Sequence, residues 1–209
     1  MAVLSRTPIR ITLDTSDFDF VKQGANGASS STTARLLFIK RAMQVAEAFF
    51  EARLEVTQVA RIFAPSTCFD FNPPQNDIAN GIASSDLHIY VQYVTDKAIT
   101  YGATGVSCRY FTGTTVPDST FQAGRPTIGR IKFNTFTLLD DKGISSDQAL
   151  LTNRRFAAIT ATALHETMHI LGFASNLYDT YLDPRTSTGA RYAAGSFLST
   201  AAKLHGSRP

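Results

Sequence analysis

The stretch His165-Glu166-Thr167-Met168-His169-Ile170-Leu171-Gly172-Phe173, HETMHILGF, sets two histidines four positions apart. On an α-helix residues i and i+4 share a face, so both imidazoles point the same way at the separation that two ligands of one tetrahedral ion require. Glu166 stands beside the first histidine and can reach a water on that ion from the side. Zinc lowers the pKa of such a water to about 7, and the glutamate can then accept its proton and pass it to a leaving amine. The pattern therefore points to zinc-assisted peptide hydrolysis. Glutamates occur only at Glu47, Glu51, Glu55 and Glu166 and the chain has 4 His, so an accidental match is expected in roughly one such chain per thousand.

Working outward, residues 147–171 read as the helix that carries the motif. Ser145, Ser146 or Asp147 can cap its start, and Gly172 stands where helices commonly stop. Its second half is rich in Ala and Thr, small enough to pack closely beneath a sheet. A second amphipathic helix is expected over residues 33–55, where Leu36, Ile39, Met43, Ala46, Phe50 and Leu54 recur at steps of three and four. Glu47, Glu51 and Glu55 then line its outer side as a solvated charged face. Strands are expected at 8–14, 56–64, 87–95 and 128–136, and loops at 24–33 and around Pro73, Pro74 and Gly81. In the strand at 87–95, Leu87, Ile89, Val91 and Tyr93 take one face and His88, Tyr90 and Gln92 the other. His88 has no partner at ligand spacing, so it reads as a surface or edge-strand residue. Beyond the motif helix periodicity is lost, and residues 196–204 form at most a short helix.

The 209 residues suffice for one domain with a sizeable core. A hydrophobic fraction of 44% with 18% charged residues excludes a disordered chain. A net charge of +3 without basic runs excludes a nucleic-acid footprint, so no nucleic-acid partner is expected. No apolar stretch is long enough to span a bilayer, and no signal peptide is apparent. Cys68 and Cys108 lack metal-like spacing; one disulfide and two buried thiols both fit.

A metzincin continues H-E-x-x-H-x-x-G with a third histidine three residues after the glycine, but that position is Ser175 here. The chain instead resembles the leishmanolysin family of metzincin-like zinc endopeptidases, in which an insertion separates that glycine from the third histidine. The likeness covers residues 8–178, through PIRITLDTSDF, SDLHIYVQYVT at 85–95, ITYGATGVSC at 99–108, GRPTIGRIKFN at 124–134 and AITATALHETMHILGFASNLY at 158–178. The resemblance implies that His165 and His169 bind zinc, one ion per chain, that Glu166 is the catalytic base, and that proteins or peptides are the substrates. It also implies that the strand at 87–95 is a candidate edge for an extended peptide. Family members are secreted or held at the cell surface, which is the localisation the resemblance implies.

There are departures. The family's third histidine sits in a Gly-Ser-His stretch followed by a Met-containing turn, whereas Met168 is the last methionine here. His205, in AAKLHGSRP, looks more like a histidine of the inserted segment than the ligand. Cys108 falls where the family has a cysteine, and a bridge to Cys68 stays open. The fold expected is α+β: a metzincin-like N-terminal catalytic subdomain over 1–178, with a twisted mixed sheet of four to five strands backed by two long helices. Residues 179–209 are then the start of an incomplete C-terminal subdomain or insertion. The function expected is a zinc metalloendopeptidase. The alternative is a truncated, inactive member that serves as a cell-surface adhesion or binding module.

Overall fold

A computed structural model of the chain describes residues 6–18, 30–111, 124–139 and 153–173. In chain order these form β1 (Thr7–Pro8), β2 (Ile11–Asp14), α1 (Ser30–Glu51), β3 (Glu55–Val56), β4 (Arg61–Ile62), α2 (Gln75–Ala79) and β5 (Ile82–Ala83). There follow β6 (Leu87–Val94), β7 (Ala103–Tyr110), β8 (Pro126–Asn134), α3 (Thr135–Leu139) and α4 (Asn153–Ile170). The architecture is mixed α+β, as expected.

The main sheet has four strands in the order β2-β6-β8-β7. β2, β6 and β8 run parallel to one another and β7 is antiparallel to β8. The register sets Ile11 opposite Leu87 and Leu13 opposite Ile89, while Val91 faces Ile131 and Tyr93 faces Phe133. Because strand side chains alternate, this pairing gathers the aliphatic positions on one face. The two long helices cover that face: Ile39, Met43, Ala46 and Phe50 of α1 and Ile159, Ala163 and Ile170 of α4 are all buried in one cluster with it. Phe38 and Phe156 lock the helices together edge to face, with centroids 5.8 Å apart. Each such large apolar side chain contributes about 1.5–3 kcal/mol by leaving water.

The other face is covered as well. Tyr90 and Ile128 are buried beneath Ile62 and Ala64, with Phe71, Ile78 and Ile82 packed around them. A disulfide between Cys68 and Cys108 ties this covering segment to β7. Asp86, just ahead of β6, is fully buried and accepts hydrogen bonds from the backbone N–H groups of Arg10 and Val59 and from the Arg10 guanidinium. Burial alone would raise its pKa, but the bonds from Arg10 and the Val59 amide outweigh it and hold the carboxyl below the ordinary range.

Several expectations are corrected. The first helix ends at Glu51, four residues short of 55; Glu55 belongs to β3, paired with Pro8. Glu47 and Glu51 are half-buried rather than a solvated face, and Glu51 accepts the backbone N–H of Ile11 at 2.8 Å. Burial, then the charge of Glu51, pushes Glu47 up from its ordinary value. The strand expected at 56–64 is two short pieces, and the loop at Pro74 leads into α2. β6 is a central strand, not an edge, and His88 on it is 7% exposed rather than a surface residue. Alternation reveals that a strand has two unlike faces, but not that a second layer lies over the polar one. The expected caps at Ser145, Ser146 and Asp147, the short helix at 196–204, Ser175, His205 and the unit at 179–209 lie outside the described residues.

Candidate metal centre

The motif helix lies against the sheet through glycines. A Cβ built on Gly105 of β7 would stand 2.2 Å from the Glu166 carbonyl oxygen, and one on Gly129 of β8 would stand 2.4 Å from the Ile170 side chain. Ser107 completes the seam by donating to the Ile170 carbonyl at 2.7 Å. Thr167, buried on the packed side, donates to the Ala163 carbonyl at 2.8 Å and so leaves no unsatisfied hydroxyl. Reading the motif alone misses these positioning residues. A glycine inside a strand pattern, as in ATGVS and TIGRI, is the available signal that another backbone approaches closely.

The helix ends as the sequence suggests. Gly172 takes a φ of 107°, its N–H bonds the His169 carbonyl at 3.1 Å, and the Phe173 N–H bonds the Met168 carbonyl at 3.0 Å. This is the paired closure of a left-handed C-terminal cap, a conformation that favours glycine. It folds the Phe173 carbonyl back onto His169, whose Nδ1 donates to it at 2.9 Å. With that proton committed, the His169 Nε2 carries the lone pair. It faces the His165 Nε2 at 3.0 Å, with the rings edge to face and centroids 4.6 Å apart.

Two nitrogens each about 2.0–2.1 Å from one tetrahedral ion stand roughly 3.3 Å apart, so the pair fits a zinc with only a small spreading of the rings. The carbonyl that fixes the His169 tautomer is the usual outer partner of a metal-bound imidazole. Among the described residues, no third His, Cys, Asp or Glu joins this pair in a ligand cluster.

His165 and Glu166 line a groove of ≈ 620 Å³ together with Tyr101 and Gly102 just ahead of β7, Ala103 at its first position and Leu138 of α3. Glu166 is 7% exposed and His165 is exposed. β7 is the outer strand of the sheet on this side, so the strand edge along the groove is β7 and not the one at 87–95.

A family model described as leishmanolysin matches residues 31–200, which takes in everything from α1 to beyond α4. No curated protein matches the chain significantly.

Proposed function

The chain belongs to the leishmanolysin family of metallopeptidases, generally zinc-dependent, and from that premise we propose that it is a zinc endopeptidase whose ligands include His165 and His169 and whose general base is Glu166. The observation that carries the proposal is the 3.0 Å convergence of the two Nε2 atoms at a groove that His165 and Glu166 line. Zinc, when bound, supplies a Lewis acid that polarises the scissile carbonyl and acidifies water. Glu166 takes the proton of the attacking water and delivers it to the leaving nitrogen. His169 is held in its ligating tautomer by the Phe173 carbonyl. An extended substrate adds through main-chain hydrogen bonds to the edge of β7 that no other strand occupies among the described residues, which brings one of its peptide bonds to the histidines.

The sheet and helices of residues 1–178 serve as the metzincin-like catalytic subdomain, with the third ligand supplied from outside the described residues. Residues 179–209 begin the next unit. A secreted or cell-surface location is supported by the Cys68–Cys108 bridge, since disulfides persist in oxidising compartments.

Chelation followed by metal replacement tests the reading. Protein-substrate cleavage should disappear with the zinc, return on its addition, and be absent from the His165→Ala and His169→Ala variants. Cleavage that persists in either variant would refute the ligand assignment. Cleavage absent from the wild-type chain with zinc bound would favour the adhesion module.

A further inference from the structure

On the face of the sheet turned away from the motif helix, three side chains from distant parts of the chain meet. Asp14 ends β2, Asp77 lies in α2 and His88 lies in β6; one ligand atom from each falls within 4.8 Å of the others. Two carboxylates near each other prove nothing, because such groups are common without an ion. The histidine is the second observation. His88 is 93% buried, being 7% exposed, and its Nε2 has no hydrogen-bond partner. A buried polar atom without a partner has lost its water and gained nothing in return, so it calls for an occupant.

The surroundings are arranged as the outer shell of a site. Thr12 Oγ1 meets His88 Nδ1 at 2.7 Å and Ser85 Oγ at 2.8 Å, which occupies Nδ1 and leaves Nε2 as the available nitrogen. The Tyr90 hydroxyl donates to Asp77 Oδ2 at 2.8 Å and the Ser16 N–H donates to Asp14 Oδ1 at 2.8 Å. Each carboxylate is thereby oriented while its second oxygen stays available.

We propose that Asp14, Asp77 and His88 form a second divalent-cation site, separate from the motif histidines, that fastens α2 to the sheet. One imidazole and two carboxylates suit a borderline transition-metal ion such as Zn²⁺ more than Ca²⁺ or Mg²⁺, which prefer all-oxygen sets. The two carboxylate charges neutralise the ion. The role is structural: the site lies across the sheet from the groove, and α2 is only five residues long with no buried residue of its own.

The test uses the full chain carrying His165→Ala and His169→Ala, stripped of metal and then titrated with Zn²⁺ alone. One equivalent should still bind, and at about a hundredfold excess over the Kd the melting temperature should rise by roughly 5–10 °C. Adding Asp14→Asn and Asp77→Asn should abolish both effects. Asn can still accept the bonds from Ser16 and Tyr90, so the metal-free melting temperature is expected to hold. A measurement that leaves the cluster intact runs beside it: Zn²⁺ should shift the His88 Nε2 resonance in ¹⁵N NMR of the doubly substituted chain. No zinc uptake by that chain, uptake unchanged by the Asp substitutions, or an unmoved His88 resonance would overturn the proposal. Because the motif histidines are absent throughout, the outcome is independent of the peptidase reading.

Discussion

Gly105→Ala is the substitution that separates a positioned motif from a merely present one. The added methyl would meet the Glu166 carbonyl oxygen at 2.2 Å, its carbon at 2.9 Å and the Glu166 Cα at 3.1 Å. All three are backbone atoms, so no side-chain rotation relieves the contact. Restoring an ordinary separation requires β7 and α4 to part by about 1 Å, and overpacking of this kind costs about 1–3 kcal/mol, toward the upper end where backbone must move. For a chain of this size that lowers the melting temperature by roughly 5–10 °C. The shift falls on Glu166 itself, and a misplacement of about 1 Å can cost on the order of a hundredfold in rate. Thermal unfolding by circular dichroism and peptide cleavage read the two effects. A Gly105→Ala protein with wild-type stability and rate would refute the claim that this strand sets the position of the helix.

Gly172→Ala forces an alanine into a φ of 107° and should cost about 1–2 kcal/mol. It should also weaken zinc retention, because the Phe173 carbonyl that orients His169 moves; metal content after dialysis checks this. Asp86 has a folded pKa below its unfolded value of about 3.9. Its stabilisation is therefore complete above that value and is lost as pH falls through the folded pKa. Asp86→Asn should cost about 2 kcal/mol at neutral pH and flatten the stability profile below pH 4, as read by urea unfolding across pH. Reduction of Cys68–Cys108, a pair 40 residues apart, should remove up to about 4 kcal/mol, measured by denaturant melts with and without reductant.

The parts of the molecule that announce themselves in sequence are those whose chemistry is local. The shared face of the i, i+4 histidines, the glycine that stops their helix and the strand over Leu87–Val94 each follow from a single element's own pattern, and the structure places all three. What escaped notice depends on partners distant in sequence. Glu51 looks like a solvated residue until β2 arrives with an unpaired Ile11 N–H. His88 looks like an edge residue until β2 and β8 flank its strand and Thr12 meets its ring. The edge role passes from β6 to β7 because strand order is a property of the sheet and not of any strand. Gly105 and Gly129 carry no chemistry of their own, and only the approach of α4 gives them a function.

The central claim is that Glu166 acts as the base beside an ion held by His165 and His169, and Glu166→Gln tests it most directly. Gln keeps the volume and the position on α4 but cannot take a proton. Cleavage of a protein substrate should fall by a factor of about 10² to 10⁴ while zinc content, measured on the same sample, stays at the wild-type level. Wild-type cleavage by the zinc-loaded Gln variant would contradict the account.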